Sequence, residues 1–273
     1  MEGAAELITS RRNPLVQRLR QLHSARGRRE LGLLLVEGTH LLQEVLRLGL
    51  RPVDLLATEA WCARHPELLQ AAAPGVRLVP VSEEVLAAVA TTEHPDGVVL
   101  TLEPPAPAAA AVTFVLALDR LQDPGNLGTL MRTALAAGVD ALWLADGADP
   151  LQPKVLRASA GAALALPVLR TDSRGLAQRL QRLAADGSQI VAAVVADADA
   201  APYWQLDWTR PTALLLGNEG AGLSVELQAL ATCRVTIPHS PAVESLNVAV
   251  AAAPLLLERW RQALATSGQP AAP

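Results

Sequence analysis

The most informative part of this sequence reads Ile237-Pro238-His239-Ser240-Pro241-Ala242-Val243-Glu244-Ser245-Leu246-Asn247-Val248-Ala249. The β-branched run at 234–237 that leads into it predicts a strand, and the apolar run that follows predicts a buried helix. The polar side chains of Glu244, Ser245 and Asn247 therefore lie where a loop meets the first turn of a helix. Backbone N–H groups are unpaired in that turn, and α/β proteins bind ligands beyond the carboxyl ends of their strands. This junction is a candidate ligand site.

The composition predicts a globular protein with a large apolar core. Hydrophobic residues make up 51% of the 273 residues and charged residues only 18%, and this length suits two domains. The two cysteines, Cys62 and Cys233, form no paired framework, which predicts a reducing, cytoplasmic location. The five histidines lack metal-ligand spacing, so we expect no metal site. No segment resembles a signal peptide or is long enough to cross a bilayer, so we expect no membrane association.

The charge is unevenly distributed. The net charge is −4, but seven arginines and no acidic residue lie between Arg11 and Arg29. A basic arm on an acidic body favours contact with a polyanion, although a solvated helix face gives the same pattern.

Strands and helices alternate along the chain on both sides of a proline- and alanine-rich stretch. Asn13-Pro14 predicts a helix start, with Gly27 as its end, and Thr39 and Ser82 are predicted N-caps. We therefore divide the chain into an N-terminal domain at 1–103, a semi-rigid linker at 104–111 and a second domain at 112–273. Predicted strands lie at 33–36, 53–57, 76–81 and 97–102 in the first domain, and at 113–118, 141–145, 166–169, 190–195, 213–216 and 234–237 in the second. The second pattern predicts an α/β fold with a mostly parallel sheet covered on both faces.

Three polar loops follow strands of the second domain, so we expect them to gather at one edge of its sheet. The first contains Asn126, which is equally well explained as a helix N-cap, and Arg132. The second, Gly217 to Gly222, has no Walker lysine and is not a GxGxxG motif, which argues against a dinucleotide-dependent oxidoreductase. The third is the loop within the segment 237–249 quoted above. Each loop is weak evidence alone, and the three together are strong evidence.

In this order and context, the three loops resemble the motifs of the SpoU (TrmH) branch of the SPOUT RNA methyltransferases. The motifs read DPGNLGTLMRTALAAG at 123–138, LLLGNEGAGLS at 214–224 and IPHSPAVESLNVAVA at 237–251. The segment 153–161, PKVLRASAG, also matches the family. The front of the chain resembles the family's substrate-binding domain in three places: Asn13 with its basic helix, Val36-Glu37-Gly38, and His94-Pro95-Asp96-Gly97. At the third place the family more usually has His-Gln-Gly.

The resemblance implies a fold and an activity. The expected fold is a SPOUT-type parallel-sheet domain with a C-terminal trefoil knot, preceded by a small ribosomal-protein-like α/β domain that binds the substrate. The expected enzyme is a homodimer that uses S-adenosylmethionine to methylate a ribose 2′-hydroxyl in structured RNA. Ribosomal RNA is favoured by the N-terminal domain. The alternatives are a transfer RNA substrate, or an RNA-binding module that has lost catalysis.

The resemblance also assigns roles to individual residues. The catalytic set is Asn126, Arg132, Glu219, Ser245 and Asn247. The cofactor-binding set is Leu216, Gly217, Asn218, Gly220, Ile237, Pro238, Leu246 and Asn247. RNA is expected to contact Arg11, Arg12, Arg18, Arg20, Arg26 and Arg132.

The guanidinium of Arg132 is essentially never deprotonated in a protein. We therefore expect it to bind a phosphate and stabilise the developing alkoxide rather than to act as a base. His239 stands where the family usually has methionine, and Pro241 stands where it usually has glycine.

Overall fold

The computed structural model describes residues 6–73, 75–106, 112–195 and 199–267. The chain forms two compact units. The first contains the residues up to Ala106 together with Asp149–Ala165, and the second contains the rest.

The basic arm of the first unit folds as two short helices rather than one. Helix α1 spans Pro14–Arg20 and helix α2 spans Ala25–Leu31, with a 3-10 turn between them. The prediction of Asn13 as the N-cap is confirmed, because its side chain accepts a hydrogen bond from the Leu15 N–H at 2.9 Å. The prediction that the helix ends at Gly27 is wrong. Gly27 lies inside α2, where an added Cβ would stand 2.0 Å from a backbone oxygen of the preceding turn.

The first unit is built on a four-stranded sheet in the order β1-β4-β2-β3. Only β2 and β3 pair in parallel, and the other two pairs are antiparallel. Ser82 caps α6 as predicted. Thr39 is not an N-cap but the first residue of α3, because Gly38, with φ +95°, takes the cap position. The elements are β1 (Leu34–Glu37), α3 (Thr39–Arg47), β2 (Asp54–Ala57), α4 (Glu59–Arg64), α5 (Pro66–Ala72), β3 (Arg77–Pro80), α6 (Glu83–Val89) and β4 (Val98–Leu102).

The second half of the chain alternates strands and helices, as its sequence predicts. In chain order, the elements are β5 (Phe114–Asp119), α7 (Pro124–Ala136), β6 (Ala141–Ala145), α8 (Pro153–Ala158), α9 (Ala162–Ala165), β7 (Val168–Thr171), α10 (Ser173–Ala185), β8 (Gln189–Ala193), β9 (Ala201–Pro202), a 3-10 turn (Tyr203–Gln205), β10 (Thr212–Leu216), α11 (Val225–Leu230), β11 (Cys233–Thr236) and α12 (Val248–Ser267). The sequence does not predict α9, β9 or the 3-10 turn.

The sheet of the second unit has seven strands in the order β7-β6-β5-β10-β8-β11-β9, and every pair is parallel. Helix α10 buries Leu176 and Leu180 in a cluster with Val115 of β5. Successive side chains of a strand point to opposite faces, so Phe114 faces the other way. Arg259 of α12 covers its ring at 4.8 Å. The predicted parallel sheet covered on both faces is confirmed.

The segment Asp149–Ala165 belongs to the first unit, although the sequence-based division at 112–273 assigns it to the second domain. Two arginines hold it there. The Arg157 guanidinium donates to the buried carboxylate of Glu37 at 2.9 Å. The buried guanidinium of Arg28 donates to the Asp149 carboxylate and to two backbone carbonyls. The predicted linker falls largely on 107–111, outside the described residues.

The described residues contain neither a membrane-spanning helix nor a metal-binding cluster. None of the helices within 6–73, 75–106, 112–195 and 199–267 is both long and apolar enough to span a bilayer. The same residues contain no cluster of three or more histidine, cysteine or acidic side chains that could hold a metal ion.

Candidate functional site

The second unit contains a cavity of about 880 Å³ beyond the carboxyl ends of β8, β10 and β11. This is the position at which open parallel sheets bind ligands, and the volume lies in the range of small-molecule and cofactor sites. The start of α12 closes one side. The lining comprises Ala193, Val194, Val195, Leu216, Gly217, Asn218, Glu219, Gly220, Gly222, Leu223, Gln228, Val235, Thr236, Ile237, His239, Glu244, Ser245, Leu246, Asn247, Val248, Ala251 and Leu255.

The lining contains seven of the eight residues that the sequence predicts for cofactor binding, and Pro238 is the exception. It also contains residues that the prediction omits. Val194 and Val195 follow β8, and their apolar side chains give no motif that sequence reasoning could find. His239 stands out in the sequence only as a departure from the family pattern.

The loop after β10 is a tight turn closed by its own backbone. Asn218 and Gly222 exchange two backbone hydrogen bonds, of 3.0 and 2.9 Å. A Cβ on Gly217 would stand 2.1 Å from the Gly222 carbonyl carbon, so only glycine fits there. The Asn218 side chain is used within the protein, because Nδ2 donates to the Arg120 carbonyl and Oδ1 accepts the N–H groups of Gly220 and Ala221. Asn218 therefore shapes the loop and presents its backbone to the cavity.

Three of the five predicted catalytic side chains form one hydrogen-bonded network. The Glu219 carboxylate accepts from Asn126 Nδ2 at 3.2 Å. The Asn126 Oδ1 atom accepts from Asn247 Nδ2 at 3.0 Å. The Asn247 Oδ1 atom in turn accepts the N–H groups of Ala249 and Val250, and so caps α12. The network joins the loops after β5, β10 and β11, as their place in the sheet predicts.

Glu219 is anchored as a carboxylate. It also accepts the backbone N–H groups of Asp123 at 3.2 Å and Gln122 at 3.3 Å. The partial desolvation of its carboxylate opposes the charge. Hydrogen bonds from its own backbone N–H, from the Asn126 amide and from these two N–H groups more than compensate and hold the pKa of Glu219 below its ordinary value of 4.5. Glu219 is therefore ionised at neutral pH and fixes which end of the Asn126 amide faces Asn247.

Asn126 is free to act in this network because it does not cap α7. The cap is Asp123, whose side chain accepts the Asn126 N–H at 2.7 Å. The alternative explanation of Asn126 as an N-cap is therefore wrong. Pro124 and Gly125 occupy the first turn and leave the Asn126 side chain at the end of the helix that meets the other loops.

The other two predicted catalytic residues stand outside the network. Ser245 lines the cavity with an exposed side chain, one residue before Leu246 and two before Asn247. Arg132 is exposed on α7 and is not part of the cavity lining. Six residues of α-helix turn its direction about 120° away from that of Asn126. Within the described residues Arg132 makes no hydrogen bond or ion pair, so its guanidinium faces solvent.

The basic arm of the first unit is exposed at the positions predicted to bind RNA. The side chains of Arg11, Arg12, Arg18, Arg20 and Arg26 are all exposed. Arg26 pairs with Glu30 one helical turn on, at 2.6 Å. Arg28 is buried and has a structural role, so it is not part of this surface.

Comparison with known proteins identifies the family. The model of the SpoU rRNA Methylase family matches residues 113–257, and the model of the MRM3-like substrate binding domain matches residues 13–100. The chain belongs to the SpoU rRNA methylase family, which confirms the resemblance seen in its motifs.

Individual relatives and solved structures agree with this family assignment. An uncharacterized tRNA/rRNA methyltransferase of Synechocystis sp. is 45% identical over 95% of both chains. The 23S rRNA (guanosine(2553)-2′-O)-methyltransferase RlmP of Bacillus subtilis is 35% identical over 91% of this chain and 97% of its own. The crystal structure of an AdoMet-bound rRNA methyltransferase from Sinorhizobium meliloti has a TM-score of 0.80 at 32% identity, and covers 94% of this chain and 98% of its own.

Proposed function

We propose that this protein methylates a ribose 2′-hydroxyl of ribosomal RNA with S-adenosylmethionine as the methyl donor. The observation that carries this proposal is the Glu219–Asn126–Asn247 network at the cavity, in a chain of the SpoU family. The names of two relatives, RlmP of Bacillus subtilis and RlmB of Ralstonia nicotianae, specify 2′-O methylation of 23S rRNA. These names favour ribosomal RNA over transfer RNA.

The cavity fits the cofactor. S-adenosylmethionine combines an apolar purine face with hydrogen-bonding edges. The lining combines apolar side chains such as those of Leu216, Ile237 and Leu246 with backbone groups of the Gly217–Gly222 turn and of the loop that follows β11. The cofactor, when bound, supplies a methyl group on a sulfonium, which is already a good leaving group. Leu216, Gly217, Asn218, Gly220, Ile237, Leu246 and Asn247 hold it, and Pro238 shapes the backbone next to them.

The remaining residues align and stabilise the reacting oxygen. Asn126, Ser245 and Asn247 orient the ribose hydroxyl, and Glu219 fixes the amide of Asn126. Arg132 binds the phosphate beside the target ribose and stabilises the alkoxide as it develops. Its exposed guanidinium supports this role, because an RNA phosphate can reach it without breaking an existing ion pair.

The N-terminal unit binds the RNA backbone. Five exposed arginines lie within Arg11–Arg26, whereas the chain as a whole carries −4. Contacts of arginine with phosphate orient the RNA and carry no sequence information directly. The target nucleotide is therefore chosen by RNA shape and by groups at the cavity.

The assembly proposed is a cytoplasmic homodimer with a knotted C-terminal region. Helix α12 leaves the apolar side chains of Val250, Leu257 and Trp260 exposed, which supports an interface between two copies. The sheet order supports the knot, because β10 inserts between β5 and β8 and β11 then inserts between β8 and β9.

The test is transfer of a labelled methyl group from S-adenosylmethionine to purified ribosomal RNA, followed by nucleoside analysis. The expected product is one 2′-O-methylated nucleoside. Arg132→Ala should abolish it. Arg182→Ala, an exposed helical arginine of the same unit, is the matched control and should keep it. Methylation of transfer RNA alone would overturn the assigned substrate. Methylation of neither RNA, with binding retained, would favour an RNA-binding module without catalysis.

A further inference from the structure

The ring of His239 lines the cavity in a fixed orientation. Its Nδ1 atom lies 2.7 Å from the carbonyl oxygen of Ile237. A carbonyl oxygen can only accept a hydrogen bond, so Nδ1 carries the proton in this contact. The neutral ring then presents Nε2 as an acceptor. In the part of the chain that the structure describes, Nε2 makes no hydrogen bond.

The amide and carboxylate side chains of the network and of the loop after β10 are already committed. The Asn218 amide is used by its own loop. Glu219 accepts from the loop after β5, and Asn247 bonds to Asn126 and caps α12. The remaining charged side chain on the lining is that of Glu244, which is exposed. His239 is thus a side-chain acceptor whose direction is set by the protein and which a ligand can use.

We propose that His239 binds the methyl donor by accepting a hydrogen bond at Nε2 from one of its N–H or O–H groups. This inference rests on the proposed function, because it assigns a new contact to the same cavity. S-adenosylmethionine carries such donors on its adenine, its ribose and its amino group. The methionine usual at this position in the family has only a weakly accepting thioether, so the family resemblance by itself does not imply this contact.

Two substitutions separate this contact from the tether to Ile237. His239→Asn keeps an amide donor near the position of Nδ1 and removes the atom at the position of Nε2. His239→Gln carries an amide oxygen out to the position of Nε2 and gives up the donor near Nδ1. If His239 acts only through its hydrogen bond to Ile237, His239→Asn should bind the cofactor as the wild type does. If His239 acts as an acceptor, His239→Gln should bind it as the wild type does.

The measurement is the dissociation constant of S-adenosylhomocysteine, determined by isothermal titration calorimetry on the full chain. It requires no turnover. We expect His239→Gln to bind within about twofold of the wild type and His239→Asn to bind about fivefold more weakly, which is the typical effect of one neutral hydrogen bond.

The reverse order, or equal affinity of all three proteins, would overturn the acceptor role. A wild-type protein that binds neither S-adenosylhomocysteine nor S-adenosylmethionine would instead overturn the proposed function. The two failures are therefore distinguishable.

Discussion

Replacing Asn126 with aspartate changes one NH₂ group to an oxygen and leaves the size of the side chain unchanged. In the structure that NH₂ group donates to the Glu219 carboxylate at 3.2 Å. The substitution therefore puts two carboxylates at hydrogen-bond distance and removes a donor from Glu219. The Asn126→Asp variant is a direct test of the network because it adds charge at one defined place.

The expected cost follows from that distance. Two unit charges 3.2 Å apart repel by about 1 kcal/mol in water and about 5 kcal/mol at an effective dielectric constant of 20. The Glu219 side chain is exposed and Asn126 is half-buried, so solvent screening favours the lower part of this range. Including the lost hydrogen bond of about 1 kcal/mol, the variant should be less stable than the wild type by about 2 kcal/mol at pH 8.

The penalty should disappear in acid. In the Asn126→Asp variant, repulsion between the new carboxylate and Glu219 raises the pKa of one of the two carboxyls above its value in the unfolded chain. The destabilisation is therefore present at pH values above the raised pKa and is lost as the pH falls through it, when one protonated carboxyl donates to the other. The wild type behaves differently, because its donors lower the pKa of Glu219 below 4.5 and keep the carboxylate ionised at pH 5.

The assay is urea unfolding of both proteins at pH 8 and pH 5, with methyl transfer measured under the same conditions. Asn126→Ala is the control, because it removes the same hydrogen bond to Glu219, together with the one from Asn247, without adding charge. We expect the stability gap between wild type and Asn126→Asp to shrink in acid, and the gap for Asn126→Ala to stay constant. A pH-independent gap for Asn126→Asp would show that Asn126 and Glu219 are not neighbours, and the reasoning about the site would fail.

Three further predictions concern Arg132, the basic arm and the turn after β10. Arg132→Lys should reduce methyl transfer more than about tenfold and leave calorimetric binding of S-adenosylhomocysteine unchanged, because lysine keeps the charge but cannot contact phosphate with two parallel N–H groups; weakened cofactor binding would contradict this role. Replacing Arg18, Arg20 and Arg26 together with alanine should weaken RNA binding in a filter-binding assay and lower the slope of log affinity against log salt by about 2 to 3. Unchanged binding would show that these arginines of α1 and α2 are only solvated. Gly217→Ala should weaken cofactor binding in the same calorimetric assay, because the new methyl group would stand 2.1 Å from a carbonyl carbon across the turn, and wild-type affinity would show that the turn is not held as described.

The sequence is sufficient to predict the sheet of the second unit and the meeting of its three loops. Both follow from local patterns, since buried parallel strands are short apolar runs and their carboxyl ends share one edge. The predicted and observed strand ends differ by only one or two residues, as for β8, predicted at 190–195 and observed at Gln189–Ala193. The sequence does not predict which hydrogen-bond partner each side chain of these loops takes. Asn218, for example, is assigned to the cofactor by its motif but gives its side chain to its own loop.

Features that depend on long-range contacts do not follow from the sequence. The first unit includes Asp149–Ala165 because Arg157 of this segment binds Glu37, and Arg28 of the basic arm binds Asp149. Nothing in the sequence around either arginine distinguishes it from a surface residue. Gly27 resembles a helix end because glycine often marks one. Its real role is to let the chain of the preceding turn pass close by. In both cases tertiary contacts decide what a local pattern cannot.

The most direct test is a map of ribose methylation in ribosomal RNA from cells that contain the protein, cells that lack it, and cells in which Arg132→Ala replaces it. We expect one 2′-O-methyl group that is present only with the wild-type protein. Identical maps from the three kinds of cell, or a methyl group that persists with Arg132→Ala, would contradict it.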